Sequence, residues 1–188
     1  MKTRLPLPVL TLLAAGLGLL TACQILPAPQ ADTVRHFTLS APGGPGPGSN
    51  GTVVRPVQLA GYLHGRQMAV RVAEHEVIYL ADVRWAESLD EAITQLLRVR
   101  LGAMGSGATV TVEVQRCELD RSAGDKVQLM ATYVIGATEG GKLPAQRGAF
   151  TATPRRWEGK DYGALVGQLR DAIGELGEAI AAALPEKK

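Results

Sequence analysis

The chain is poor in cysteine, in histidine and in net charge. Two cysteines in 188 residues exclude a scaffold built on disulfides. The formal charge is only +2, and the surplus sits at the extreme N-terminus, in Lys2 and Arg4. Without residues 1–22 the acids and bases balance. A general nucleic-acid binder would need a basic excess over its working part, so that class is excluded. The three histidines, His36, His64 and His75, show no H-x-x-x-H or His/Cys spacing, which argues against a metal site. No G-x-S-x-G is present, so there is no hydrolase elbow. The glycine-rich stretch 43–51 lacks G-K-[ST], so it is no phosphate-binding loop.

What the chain does have is apolar content. Hydrophobic residues make up 46%, too many for a disordered segment and enough for one domain with a real core.

Residues 1–22 read as a signal peptide. Lys2 and Arg4 form the charged start, and Leu5–Leu20 an uncharged, mostly apolar stretch. That stretch is short for a membrane span, which takes about 20 apolar residues, and two prolines interrupt it. Leu20-Thr21-Ala22-Cys23 resembles a bacterial lipobox. Cleavage is expected between Ala22 and Cys23, with diacylglycerol carried on the Cys23 sulfur. Several acyl chains anchor stably without a spanning helix. Gln24 stands where an aspartate retains many Gram-negative lipoproteins at the inner membrane. The expectation is therefore an outer-membrane anchor with the body facing the periplasm. Residues 23–33, with Pro27 and Pro29, make a short stiff tether, and 34–188 one periplasmic domain. Cys117 lies in a strand-like run and is expected to be a buried core residue.

Hydrophobic periodicity outlines that domain. Short strands are expected over 34–39, 52–59 (with Pro56 at an edge or bulge), 67–72 and 76–80. Leu89 onward carries a helical stripe to Leu101, opened by the capping-box pair Ser88 and Glu91. Strands over 110–115, 127–135 and 143–153 then form a meander. A last helix runs from about Tyr162 to Leu184, with Asp161 as N-cap and Pro185 as stop. The expected fold is α+β: an antiparallel or mixed sheet of about six strands with two main amphipathic helices on one face. Gly163, Gly167, Gly174 and Gly177 fall close together on the last helix beside its apolar stripe. They read either as a smooth groove for helix packing or as compositional drift.

The acids Glu87, Asp90 and Glu91 suit a helix N-terminus better than acid–base chemistry. No catalytic constellation emerges, and no enzyme is expected.

Three segments carry a family resemblance. They are His36-Phe37-Thr38-Leu39 after the spacer, Val57-Gln58-Leu59 through Tyr62-Leu63-His64-Gly65-Arg66-Gln67-Met68-Ala69-Val70-Arg71, and Arg84-Trp85-Ala86-Glu87-Ser88-Leu89. Together with the lipobox they resemble the ABC-type transport auxiliary lipoprotein component family, the group of paraquat-inducible protein C. Ser88 stands where that family usually has proline. The resemblance implies a non-catalytic outer-membrane accessory working with MCE-domain proteins and inner-membrane transport components to move phospholipid between membranes. It implies no cofactor beyond the lipid on Cys23, and leaves a homo-oligomer open. It marks Trp85 and Glu87 as structural, and Tyr62, Arg66, Gln67 and Arg71 as a partner-facing or buried polar set. The alternative is a structural lipoprotein of an outer-membrane assembly machine.

Overall fold

The computed structural model describes residues 33–39, 52–102, 104, 107–137 and 145–185. The signal peptide with Ala22, Cys23 and the tether up to residue 32, and the glycine-rich stretch 43–51, lie outside them. The chain divides into two compact units, Met1–Thr33 and Val34–Lys188, and the elements that follow belong to the second.

The sheet is organised by one long strand, β6 (Ala108–Asp120). Val110, Val112 and Val114 alternate with Thr111 and Glu113, and the valines are fully buried. The strand is longer than the alternation alone marks out, because at Gln115 the alternation slips. Val114 lies opposite Ala131 and Arg116 opposite Met130, leaving Gln115 as an extra residue. A strand's side chains change face at every residue, so one extra residue inverts the phase of all that follow. Cys117 and Leu119 then take up the buried side that the valines held, and Arg116, Glu118 and Asp120 take the other.

On one side β6 pairs antiparallel with β7 (Lys126–Ala137), which pairs with β8 (Gln146–Thr151), giving the expected meander. Gly148 lies opposite Tyr133, whose ring occupies the space a side chain at 148 would need. The two-residue β9 (Arg155–Arg156) also joins β7. On its other side β6 meets β4 (Gln67–Ala73), in parallel, and β4 pairs antiparallel with β5 (Glu76–Trp85). β1 (Arg35–Phe37) runs parallel to β5 at the edge. The main path is β1-β5-β4-β6-β7-β8, a mixed open sheet.

The segment 52–59 is two short pieces, β2 (Val53–Val54) and β3 (Gln58–Leu59), both parallel to β6. Pro56 has no N–H to offer a ladder, and Val57 N–H turns instead to the Thr94 hydroxyl on the neighbouring helix, at 2.9 Å.

Helix α1 (Leu89–Gly102) buries Leu89, Ala92, Ile93, Leu97 and Leu101. Helix α2 (Tyr162–Ala183) starts where the Asp161 carboxylate accepts from Gly163 N–H at 2.8 Å. It stops at Leu184, which is extended, the conformation favoured before a proline. Its stripe, Leu165, Leu169, Ile173, Leu176 and Ile180, packs with α1 and the sheet into one core. Burying each such leucine or isoleucine contributes roughly 1.5–3 kcal/mol. Trp157 is buried at the mouth of α2, donating its indole N–H to Asp161 O at 2.8 Å and packing against Tyr162.

Candidate functional site

The phase slip in β6 sets polar side chains beside β4. Arg71 on β4 stands next to Asp120 in the parallel pairing. Glu118 lies between Arg71 and Arg116, with its side chain 0% exposed. One carboxylate oxygen, Oε1, accepts from Arg71 Nε at 2.7 Å and from Arg116 Nε at 2.9 Å. Arg116 Nη2 reaches Asp120 at 2.6 Å. Asp120 also accepts from the Ser122 hydroxyl at 2.6 Å and from Ala123 N–H at 3.0 Å, closing the turn into β7. A second nitrogen of Arg71, Nη1, donates to Glu74 O at 2.9 Å. The Tyr62 ring lies 5.8 Å from the Arg71 guanidinium, and its hydroxyl donates to Gln115 O, the bulge residue, at 3.1 Å.

These contacts fix the protonation states. Burial, helped by the Glu118 carboxylate, pushes the Tyr62 phenol well above its ordinary range. The Glu118 carboxylate likewise raises Arg71. Burial opposes charge on Arg116, but Asp120 and Glu118 outweigh it and its net shift is upward. Burial would raise Asp120, yet the hydrogen bonds from Ser122, Arg116 and Ala123 hold it below the usual carboxylate value. Tyr62 stays a neutral phenol and the arginines and Asp120 stay charged around neutral pH. The shared Glu118 carboxylate ties Arg71 of β4 to Arg116 of β6. Replacing one member leaves an unpaired buried charge, which is costly.

The remaining residues singled out in the sequence fall elsewhere. Arg66 is exposed and donates to Ala86 O at 3.3 Å. Gln67 is exposed at the start of β4, opposite Arg84. Trp85 is 3% exposed and ends β5 in the core. Glu87 is half-buried just ahead of α1. The structure thus brings Tyr62 and Arg71 together but leaves Arg66, Gln67, Trp85 and Glu87 out of the cluster. The four glycines separate as well. Gly163 lies in the first turn against the Asp161 cap, Gly167 faces open space, and Gly174 and Gly177 face Arg100 on α1. A Cβ on Gly177 would lie 2.7 Å from Arg100 Cδ. Sequence reasoning missed Arg116, Glu118 and Asp120; the signal was there in the change of apolar positions from Val114 to Cys117.

Cys117 is buried and unpaired, and burial pushes its thiol up to about 12, which keeps it unreactive. Among the described residues no group of histidine, cysteine and acids could hold a metal. No helix among them is long and apolar enough to cross a membrane.

The fold recurs in solved structures. An uncharacterized protein matches with a TM-score of 0.64 at 15% identity, over 80% of this chain and 97% of its own. A protein of Xanthomonas campestris placed in a domain family of unknown function, DUF330, matches with a TM-score of 0.58 at 15% identity, over 79% of this chain and 89% of its own. No curated protein matches the chain. The family model for the ABC-type transport auxiliary lipoprotein component matches residues 37–181. The chain belongs to that family, whose name places its members as lipoproteins auxiliary to ABC-type transport.

Proposed function

We propose that this protein is an outer-membrane lipoprotein facing the periplasm, a non-catalytic accessory of an MCE/ABC-type system that moves phospholipid between membranes. The carrying observation is the family match over 37–181. The lipobox-like Leu20–Cys23 just ahead of it supports the anchor, with the lipid on Cys23 as the only attached group. The ion pairs of Arg71, Glu118, Arg116 and Asp120, which tie β4 to β6, support a scaffolding role.

The test is affinity purification of the full-length lipidated protein after mild solubilisation, with mass spectrometry of what comes with it. Recovery of an MCE-domain protein together with phospholipid is expected. Recovery of barrel-assembly proteins alone would overturn the proposal and favour a structural role in outer-membrane assembly.

A further inference from the structure

The two edges of the main sheet path differ. β1 is three residues long, and so short an edge strand offers little to pair with. β8 is six residues long, and its pairing with β7 runs without a register shift. Prolines, charges and bulges are the usual means of blunting an edge. β8 has no proline, no bulge and one charge, Arg147. The hydrogen bonds show which of its groups face outward. Ala152, next along the chain, donates its N–H to Leu129 O at 2.9 Å, in phase with the β7–β8 ladder. Bonding in an antiparallel pair alternates along the strand. Gln146, Gly148 and Phe150 therefore bond to β7, while Arg147, Ala149 and Thr151 turn their N–H and C=O groups away from it. All three are exposed, and no backbone group among the described residues pairs with that side. The next outward N–H, of Thr153, is already taken by the Glu175 carboxylate at 3.0 Å, which bounds the open stretch.

This stretch is its own complement. Read antiparallel to itself about Ala149, it sets Ala149 opposite Ala149, Arg147 opposite Thr151 and Gly148 opposite Phe150. The outward groups then meet in register and form about six hydrogen bonds. The single charge never faces itself, and the large Phe150 ring meets a residue with no side chain. We infer that β8 pairs with β8 of a second copy of this chain, across a two-fold axis at Ala149, so that the sheet continues from one copy into the other. This interface goes beyond the proposed transport role and does not depend on it.

The test is disulfide trapping in full-length protein, purified in mild detergent and oxidised with copper phenanthroline, with each variant first checked for a wild-type melting curve. Cα atoms of a hydrogen-bonded cross-strand pair lie ~5.5 Å apart, within disulfide reach. Ala149→Cys should give a disulfide dimer about tenfold above Tyr79→Cys, an exposed position on β5. Arg147→Cys and Thr151→Cys should each form little dimer alone, because the axis sets each ~13 Å from its own counterpart, and about tenfold more when the two proteins are mixed. Wild-type protein should give none, since its Cys117 is buried. Without oxidant, Ala149→Glu and Ala149→Lys should each shift several-fold toward monomer in size-exclusion chromatography and regain the dimer when mixed, because like charges directly opposite repel and unlike charges attract. Equal trapping at Ala149 and Tyr79 overturns the proposal, as does a folded Ala149→Cys protein that stays monomeric on oxidation. So does Arg147→Cys or Thr151→Cys trapping alone as strongly as the mixture, which would mean another register, or a Glu and Lys mixture that stays monomeric.

Discussion

From Ala108 to Val114, strand β6 buries its valines on one face and leaves threonine and glutamate half-buried or exposed on the other. From Cys117 to Asp120 it buries both faces, one apolar and one ionic. A single extra residue, Gln115, separates the two regimes. The first half is held by hydrophobic contact, which tolerates small changes in shape. The second depends on a charge network around the buried Glu118 carboxylate, which does not tolerate a missing partner. One strand therefore carries two kinds of stability, and mutations in the two halves should behave differently.

Inserting one alanine between Arg116 and Cys117 gives the largest expected effect. It would turn Glu118 and Asp120 toward the core and Cys117 and Leu119 away from it, so no cooperative thermal transition should survive by circular dichroism. A wild-type melting curve would mean the register does not matter. Glu118→Ala should come next, costing about 3–5 kcal/mol in denaturant unfolding, because two arginines lose their shared carboxylate. In the first half, Val112→Thr should cost about 1–3 kcal/mol for a buried hydroxyl, while Thr111→Val on the other face should stay within about 0.5 kcal/mol. Equal losses at Val112 and Thr111 would erase the distinction between the faces.

Acid sharpens the comparison further. Asp120 is depressed in the folded chain. Its contribution is therefore present above the unfolded value of ~3.9 and lost as pH falls below it. Asp120→Asn should flatten that acid limb of stability; an unchanged pH profile would mean the Ser122 and Arg116 contacts carry no weight. The smallest effect expected is at Gly167, which faces open space on α2. There Gly167→Ala should stabilise by up to about 1 kcal/mol through helix propensity.

The helices and the meander were legible in the sequence because their signals are local. The stripe of α2, its Asp161 cap and the stop before Pro185 all lie within one segment. The cluster was not legible, since Arg71 and Glu118 are 47 residues apart and meet only through the parallel pairing of β4 with β6. Arg71 was singled out by family resemblance, but its partners depend on the bulge. The split of 52–59 into β2 and β3 was equally hidden, because it turns on Thr94 from another element capturing the N–H of Val57.

The proposed place of the protein at the outer membrane stands on its lipid anchor, and one substitution addresses that directly. Cells carrying Cys23→Ser are fractionated, and the size and location of the protein are compared with wild type. The expected result is an uncleaved, unacylated precursor absent from the outer membrane. Mature-sized Cys23→Ser protein in the outer-membrane fraction would contradict the anchor, and with it the proposed place of this domain between the membranes.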